Sequence, residues 1–394
     1  MIEKEEFAER LSRLQTAVAA SGFDVFIVSA EESIYYLTGV SYRPLERPFF
    51  MIVRPAAAPV LLVPALEQDH LKAAPNVAAV KHYWDYPSPS GQGWPERLHD
   101  VIAGAGAVGI EPAMPMEIAQ ALSSISPVVA PLVEGLRLIK SPAEIAMLRK
   151  ASRYADQCVQ KVIDASYSGV SEVELFSQGR KVLLNIIRDT DYEPLATDVL
   201  AAAWPAPLSA QPHGVPGVAD RLTAGPHIAL GLVRANGYAA ECERTFFLEP
   251  PAPEALAAFN AMMEARRRAC ALIRPGAPCA EIDLAAKDFL TAEGYGQYLL
   301  HRTGHGFGLG SHEGPWMAEG SRDVLEKNML ISIEPGIYLP GVGGIRHSDT
   351  TRVTEDGFEH LTAYPTDLSA LTITAFKPMT RLAGALIRRM AGVA

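Results

Sequence analysis

Cysteine is scarce in this chain, and long apolar runs are missing from it. The four cysteines, Cys158, Cys242, Cys270 and Cys279, show no CxxC spacing of the kind that binds a metal. We expect reduced, mostly buried thiols, because the chain is long and its first residues lack the apolar core of a signal peptide. No stretch reaches the roughly 18 consecutive apolar residues that a membrane span needs. The sequence therefore predicts a cytoplasmic protein with no membrane partner.

Basic residues are also in deficit. There are 35 Lys and Arg residues against 45 Asp and Glu residues, which gives a formal net charge of −10. A protein that binds nucleic acid non-specifically needs a basic face, so we expect no such partner. Charged residues make up 20% and hydrophobic residues 48% of the 394 positions, as in soluble globular proteins. This length favours two domains.

The first third of the chain alternates between helical and strand patterns. Residues 6–22 carry apolar side chains at helical spacing, and residues 24–28, 49–53 and 60–63 are short apolar runs typical of buried strands. This alternation predicts an α/β domain. Ser141, Pro142 and Glu144 form an N-cap, first-turn and capping-box pattern that begins a long helix. We therefore predict domains at 1–135 and 136–394.

The second domain mixes strands and helices in a different order. Strand-like runs at 228–233, 245–248, 329–333 and 351–354 surround helical stretches at 253–273 and 280–293. This arrangement predicts a curved sheet flanked by helices, and residues 380–394 predict a docked terminal helix.

Polar side chains gather in four segments of this second domain. They contain His213; Glu241 and Glu243; His305 and His312; and Glu334 followed by residues 344–350. Glu241 and Glu243 are two positions apart, so on a strand they face the same side, where two carboxylates either bind a cation or share a proton. A single histidine would most simply be an ordinary hydrogen-bonded residue. The gathering of histidines and glutamates in Gly-rich segments instead predicts an active site.

The order and spacing of three of these segments resemble a known family. Gly304-His305-Gly306, the run from Ile333 to Tyr338 and residues 353–357 are similar to motifs of the pita-bread hydrolases: methionine aminopeptidase, aminopeptidase P, prolidase and creatinase. Tyr36-Leu37-Thr38-Gly39 resembles a turn of the creatinase N-terminal domain. The resemblance covers nearly the whole chain. It implies an α/β creatinase-like N-terminal domain and an α+β pita-bread catalytic domain.

Two of the metal ligands that the resemblance implies are replaced. The metallopeptidases of this family hold two divalent ions with Asp, Asp, His, Glu and Glu. At those places this chain has, in order, Leu230, Glu241, His305, Glu334 and Ser348. A leucine cannot bind a metal, and a hydroxyl replaces a bridging carboxylate. We therefore expect no metal cofactor, with a single weak ion at Glu241, His305 and Glu334 left open.

Creatinase is the branch of the family that works without metal, and the resemblance to it implies roles for individual residues. His213 would be the general base and then the acid, and Glu243 and Glu334 would complete the catalytic set. Arg47 would cross into the partner's site in a homodimer and bind a substrate carboxylate. The expected substrate-binding residues are Arg47, Glu241, His305, His312, Trp316, Arg346 and His347.

These assignments predict a metal-independent hydrolase of a C–N bond, of amide, amidine or guanidine type, in a small nitrogen-containing molecule. Three alternatives stay open: a metal-dependent Xaa-Pro peptidase, a metal-using lyase of the same fold, and a non-catalytic binding pseudo-enzyme. Leu230 and Ser348 argue against the peptidase. The retained His213, Glu243 and Glu334 argue against the pseudo-enzyme.

Overall fold

The computed structural model describes residues 2–72, 74–85 and 87–393. The chain divides into two compact units, Met1–Arg137 and Leu138–Ala394. All four cysteines are buried and free. Within the described residues, no helix combines the length and the apolar character that crossing a membrane requires.

The first unit is built around a six-stranded sheet in the order β4-β3-β2-β1-β5-β6. Strand β1 pairs antiparallel with β2 and parallel with β5, and Ile27, Phe50 and Leu62 belong to the core on one face of the sheet. The predicted α/β architecture is confirmed. The helices are α1 (Lys4–Ala20), α2 (Glu31–Thr38), α3 (Gln68–Leu71), α4 (Trp94–Ile102), α5 (Met116–Ala121) and α6 (Leu132–Arg137), and the strands are β1 (Val25–Val28), β2 (Phe50–Arg54), β3 (Ala57–Pro64), β4 (Ala79–Tyr83), β5 (Val108–Ile110) and β6 (Val128–Val129).

The second unit contains a larger, mainly antiparallel sheet, as the α+β prediction requires. Its strands run in the order β11-β10-β12-β15-β9-β8-β7, β16 pairs with β15, and β13 and β14 form a separate hairpin. The helices are α7 (Pro142–Ala165), α8 (Glu172–Phe176), α9 (Gly179–Asp189), α10 (Pro253–Cys270), α11 (Cys279–Ala292) and α12 (Pro378–Ala391), and the strands are β7 (Asp198–Trp204), β8 (His227–Ala235), β9 (Tyr238–Phe246), β10 (Gly304–Gly306), β11 (Glu313–Met317), β12 (Leu330–Ser332), β13 (Gly336–Leu339), β14 (Gly343–Arg346), β15 (Ser348–Val353) and β16 (Phe358–His360).

Helix α7 covers one face of the central strands. It begins with the predicted capping box, in which Ser141 Oγ accepts from the Glu144 amide and Glu144 Oε2 accepts from the Ser141 amide, each at 3.1 Å. The helix packs so closely on β8 that a Cβ at Gly231 would lie 2.3 Å from the Ala155 carbonyl oxygen. Glycine is therefore required there, and the opposite face of the sheet is left for the polar residues of the site.

An ionic network also stabilises the strands next to those polar residues. Arg244 Nη2 donates to Asp349 Oδ1 at 2.7 Å, Arg266 pairs with the other oxygen of Asp349, and Thr362 Oγ1 donates to Oδ1 at 2.6 Å. Because neighbouring strand positions face opposite sides, this network lies on the far side of the sheet from Glu243 and Ser348. It fixes β9 against β15.

Candidate active site

A cavity of about 760 Å³ opens within the second unit, and its lining has a polar part and an apolar part. The polar part includes Glu241, Glu243, His305, His312, Glu334 and Arg346. The apolar part includes Phe176, Leu200, Trp204, Leu230, Leu232 and Leu300. A volume of this size is in the range that small-molecule sites occupy. With His213, seven of the ten site residues predicted from the sequence therefore line one cavity.

Three buried carboxylates form the centre of the polar part. Glu241 and Glu243 lie on β9 and Glu334 follows β12, and one oxygen of each lies within 4.8 Å of the others. Oε1 of Glu241 is buried without a hydrogen-bond partner. Burial, together with the charges of Glu243 and Glu334, raises the pKa of Glu241 to about 8. The three carboxyls therefore do not all ionise at neutral pH without a compensating positive charge, and such a cluster fits a cation.

His305 presents a ring nitrogen to this cluster. Its Nδ1 lies 3.1 Å from the Gly306 carbonyl oxygen, so Nδ1 carries the proton, and Nε2 lies 3.1 Å from Oε1 of Glu334. Nε2 nevertheless lacks an aligned hydrogen bond. Burial alone would lower the pKa of His305, but the Glu334 carboxylate outweighs burial and raises it. Conversely, although burial opposes the change, His305 lowers the pKa of Glu334 to about 2. An imidazole held by a backbone carbonyl at Nδ1 is oriented as a metal ligand would be.

Glu243 is held differently, by a buried guanidinium. Nε and Nη2 of Arg346 each donate to one of its two oxygens. Nη1 of Arg346 donates to the Tyr338 hydroxyl at 3.0 Å, and that hydroxyl lies 2.7 Å from Nε2 of His301. Nδ1 of His301 lies 2.7 Å from the Arg302 carbonyl oxygen, so Nδ1 donates and Nε2 accepts from Tyr338. Burial lowers the pKa of His301, which keeps this ring neutral. Hydrogen bonds therefore connect Glu243 through Arg346 and Tyr338 to His301.

The two replaced ligand positions stand on either side of Glu243. Leu230 on β8 and Ser348 on β15 are both direct cross-strand partners of Glu243 on β9. Such partners have Cβ atoms about 5 Å apart on one face of the sheet. Ser348 Oγ is buried and has no hydrogen-bond partner. An aliphatic group and a hydroxyl thus flank the carboxylate that Arg346 binds.

Two further histidines lie along the cavity. The ring centroid of His312 is 4.1 Å from that of His305, and burial, with His305 nearby, lowers the pKa of His312 to about 4. His312 is therefore neutral at ordinary pH. His213 lines the cavity from the exposed loop between β7 and β8. Its proposed role as acid and base stays a prediction.

Three of the predicted substrate-binding residues do not line this cavity. His347 is fully buried with its ring edge-on to Phe259, because neighbouring residues along a strand face opposite sides and Arg346 faces the cavity. Trp316 stacks against Arg302, whose guanidinium carbon lies 4.5 Å from the centroid of the Trp316 ring. Arg47 lies in the first unit, where it pairs with Asp85 and Glu46. Its contribution to a partner's site, and the homodimer itself, stay predictions.

The sequence did not point to several residues of the site, among them its apolar lining. His301, Arg302 and Glu172 line the cavity, and Tyr338 connects His301 to Arg346. His301 is four positions before His305 and could have been found by that spacing. Glu172 gave no signal, because its first-turn position in α8 is that of an ordinary helix-capping acid.

Family comparisons agree with this architecture. A family model described as Metallopeptidase family M24 matches residues 146–355, and one described as Creatinase/Prolidase N-terminal domain matches residues 10–141. An uncharacterized peptidase of Staphylococcus aureus (strain USA300) is 30% identical over 342 residues, 86% of this chain and 95% of that protein.

Solved structures extend the likeness to the whole fold. Dipeptidase PepE from Mycobacterium ulcerans has 27% identity and a TM-score of 0.80, over 93% of this chain and 98% of that one. An Xaa-Pro dipeptidase from Bacillus anthracis has 26% identity and a TM-score of 0.76, over 92% and 99%.

These findings correct two predictions. The expected metal-independent hydrolase of non-peptide C–N bonds is wrong, because the similar proteins are named as peptidases and dipeptidases. The expected absence of a metal is also wrong. Leu230 and Ser348 cannot supply ligands, but the three buried carboxylates of Glu241, Glu243 and Glu334 lie close enough together to hold one ion. The chain belongs to the peptidase M24 family and is a hydrolase of that family, with a creatinase-type N-terminal domain.

Proposed function

We propose that this protein is a metal-dependent dipeptidase of the prolidase type, with Xaa-Pro dipeptides as its substrates. The observation that carries the proposal is the buried group of Glu241, Glu243 and Glu334, with an unpartnered oxygen on Glu241 and with Nε2 of His305 3.1 Å from Glu334, in a cavity of about 760 Å³. A dipeptide is small enough for a cavity of this volume. The likeness to the Bacillus anthracis Xaa-Pro dipeptidase over nearly all of both chains supports the choice of substrate.

Glu241, Glu334 and His305 are the residues that would hold a divalent cation. When bound, such an ion polarises a carbonyl group and lowers the pKa of water. The protein itself holds these ligand residues in position. Ser332 donates from Oγ to Glu334 at 3.2 Å and accepts from the His305 amide at 3.0 Å, so one hydroxyl orients two ligands.

The remaining lining suits the two ends of a dipeptide. The apolar part, with Phe176, Trp204 and Leu232, can bury a proline ring and an apolar side chain. Arg302 borders the same cavity, has a buried Nε without a partner, and is positioned by stacking over Trp316. A guanidinium in this position can bind the carboxylate of the substrate.

Two histidines complete the proposed mechanism. His312 is neutral, so it can donate a hydrogen bond to the scissile carbonyl without adding positive charge beside the cation site. His213, at the exposed side of the cavity, delivers a proton to the leaving nitrogen.

The test is hydrolysis of Ala-Pro, Leu-Pro and Ala-Ala by purified protein, with Mn²⁺ and after removal of metal with a chelator. We expect cleavage of the Xaa-Pro substrates with Mn²⁺ and loss of activity in chelator. Glu334→Gln should abolish the activity. Asp164→Asn is the matched surface control and should retain it. Absence of hydrolysis of every dipeptide with Mn²⁺, Co²⁺ or Zn²⁺ present would refute the proposal.

The predicted homodimer can be tested with the same assay. If Arg47 acts in the partner's site, mixing Arg47→Ala chains with inactive Glu334→Gln chains should restore part of the activity, because some mixed sites carry both native residues. A mixture no more active than its parts would show that Arg47 does not act across an interface.

A further inference from the structure

The charge of the cavity limits how many cations it can accept. Glu241, Glu243 and Glu334 bring three negative charges when ionised, and the buried guanidinium of Arg346 brings one positive charge. One divalent ion brings the sum to zero, because a histidine that binds a metal does so in its neutral form, as His305 would. A second divalent ion would leave two positive charges uncompensated. Uncompensated charge in a buried site is strongly unfavourable.

The positions of the ligand atoms point the same way. Both oxygens of Glu243 are bound by Arg346, whereas Oε1 of Glu241 and Nε2 of His305 are buried and without hydrogen-bond partners. The atoms that are free to bind a cation therefore lie in the part of the cavity formed by Glu241, Glu334 and His305. The cross-strand neighbours of Glu243 offer no charged ligand to an ion: Leu230 has no ligand atom, and Ser348 has only a neutral hydroxyl.

We infer that each chain binds one divalent cation, at Glu241, Glu334 and His305, and that the guanidinium of Arg346, hydrogen-bonded to Glu243, supplies the third positive charge that balances the three carboxylates. The inference deepens the proposed function and rests on it for the presence of a cation. Arg346 does not bind the ion. It neutralises the carboxylate that would otherwise attract another ion, and Tyr338 fixes its guanidinium in that place.

Titration of metal-free protein with Mn²⁺ in a calorimeter, at pH 8, measures the number of ions directly. We expect one ion per chain, and elemental analysis after dialysis should give the same count. Glu241→Gln, Glu334→Gln and His305→Asn should each weaken binding at least tenfold. Glu172→Gln removes another buried carboxyl that borders the cavity and should leave the count at one. A count of two, or none, in the unaltered chain overturns the inference.

Arg346 is tested by its charge. In Arg346→Met a positive charge near the ion is lost and Glu243 is released, so Mn²⁺ should bind at least tenfold more tightly. Arg346→Lys keeps the charge and should bind Mn²⁺ as the unaltered chain does. If Arg346→Met does not fold, as judged by circular dichroism, Arg346→Gln replaces it. Unchanged or weaker binding in the neutral variant overturns the role given to Arg346.

The ion count and the peptidase assay fail independently. One bound Mn²⁺ without dipeptide hydrolysis would leave the inference standing and refute the proposed substrate. Hydrolysis by a chain that binds two ions would support the proposed function and overturn the inference.

Discussion

The buried pair of Glu243 and Arg346 should show a marked asymmetry when its members are removed one at a time. Both side chains are buried, and Arg346 is 8% exposed. In Glu243→Leu the guanidinium stays charged, because arginine does not lose its proton in proteins. It then lacks a carboxylate partner, and a buried pair broken in this way costs about 3–5 kcal/mol. In Arg346→Met the carboxyl of Glu243 can take up a proton, so the cost should be smaller, about 1–3 kcal/mol.

The double variant, Glu243→Leu with Arg346→Met, decides whether this reasoning is correct. Replacing both charges by apolar groups leaves no buried charge unpaired, and such replacements are often neutral. We therefore expect the double variant to be more stable than Glu243→Leu alone by about 2 kcal/mol or more. Urea unfolding followed by circular dichroism, at pH 7 with chelator present, gives the three free energies of unfolding.

An exposed pair provides the control. Glu264 and Arg267 form a hydrogen-bonded ion pair on α10, with the arginine side chain 68% exposed. The same three variants there should each change the free energy of unfolding by less than about 1 kcal/mol. The reasoning is refuted if the Glu243 and Arg346 double variant is no more stable than Glu243→Leu.

Three further predictions concern pH, packing and orientation. Burial raises the pKa of Glu172 from 4.5 to about 8, so the stability that this protonated carboxyl contributes is complete below pH 4.5 and is lost as the pH rises to 8. Over that range the free energy of unfolding should fall by about 1.4 kcal/mol per pH unit, and Glu172→Gln should remove this dependence. Parallel curves of unfolding free energy against pH for the two proteins would contradict the prediction. Gly231→Ala forces a Cβ to 2.3 Å from a carbonyl of α7 and should lower the unfolding free energy by about 3 kcal/mol, whereas Gly357→Ala meets nothing within 4 Å; equal melting temperatures would rule out the close packing. Tyr338→Phe removes the hydroxyl that donates to His301 and accepts from Arg346, so two side chains that line the cavity lose their fixed positions. We expect kcat/KM for Ala-Pro to fall about tenfold with the Mn²⁺ count unchanged, and an unaltered kcat/KM would show that these two hydrogen bonds do not affect catalysis.

Local signals in the sequence predicted the fold well. The apolar runs gave β1, β2, β3, β8 and β12, and the Ser-Pro-Ala-Glu pattern gave the start of α7, because caps and periodicity depend on neighbouring residues only. The same local rule placed Glu241 and Glu243 on one face of β9, and both line the cavity.

The contacts that complete the site depend on residues far apart in the chain. Tyr338 and His301 meet because β13 lies beside the segment that precedes β10, and no local pattern announces this contact. His347 was expected at the site because it belongs to the polar segment 344–350. Neighbouring residues along a strand face opposite sides, so His347 points away from the cavity and toward Phe259. No metal was expected because Leu230 and Ser348 replace two ligands, and a single ion at Glu241, His305 and Glu334 was left open. Whether the remaining carboxylates converge depends on how β9 and the end of β12 lie in the folded sheet, which no local pattern records.

The three residues proposed to bind the cation come from separate strands or strand ends: Glu241 from β9, His305 from β10 and Glu334 after β12. They converge only when the sheet is complete, so an ion bound to all three has no equivalent site in the unfolded chain. At a free ion concentration 100 times the dissociation constant, such binding adds about 2.7 kcal/mol to stability. The supply of metal in the cell would then govern how long the protein survives proteolysis, as well as whether it is active.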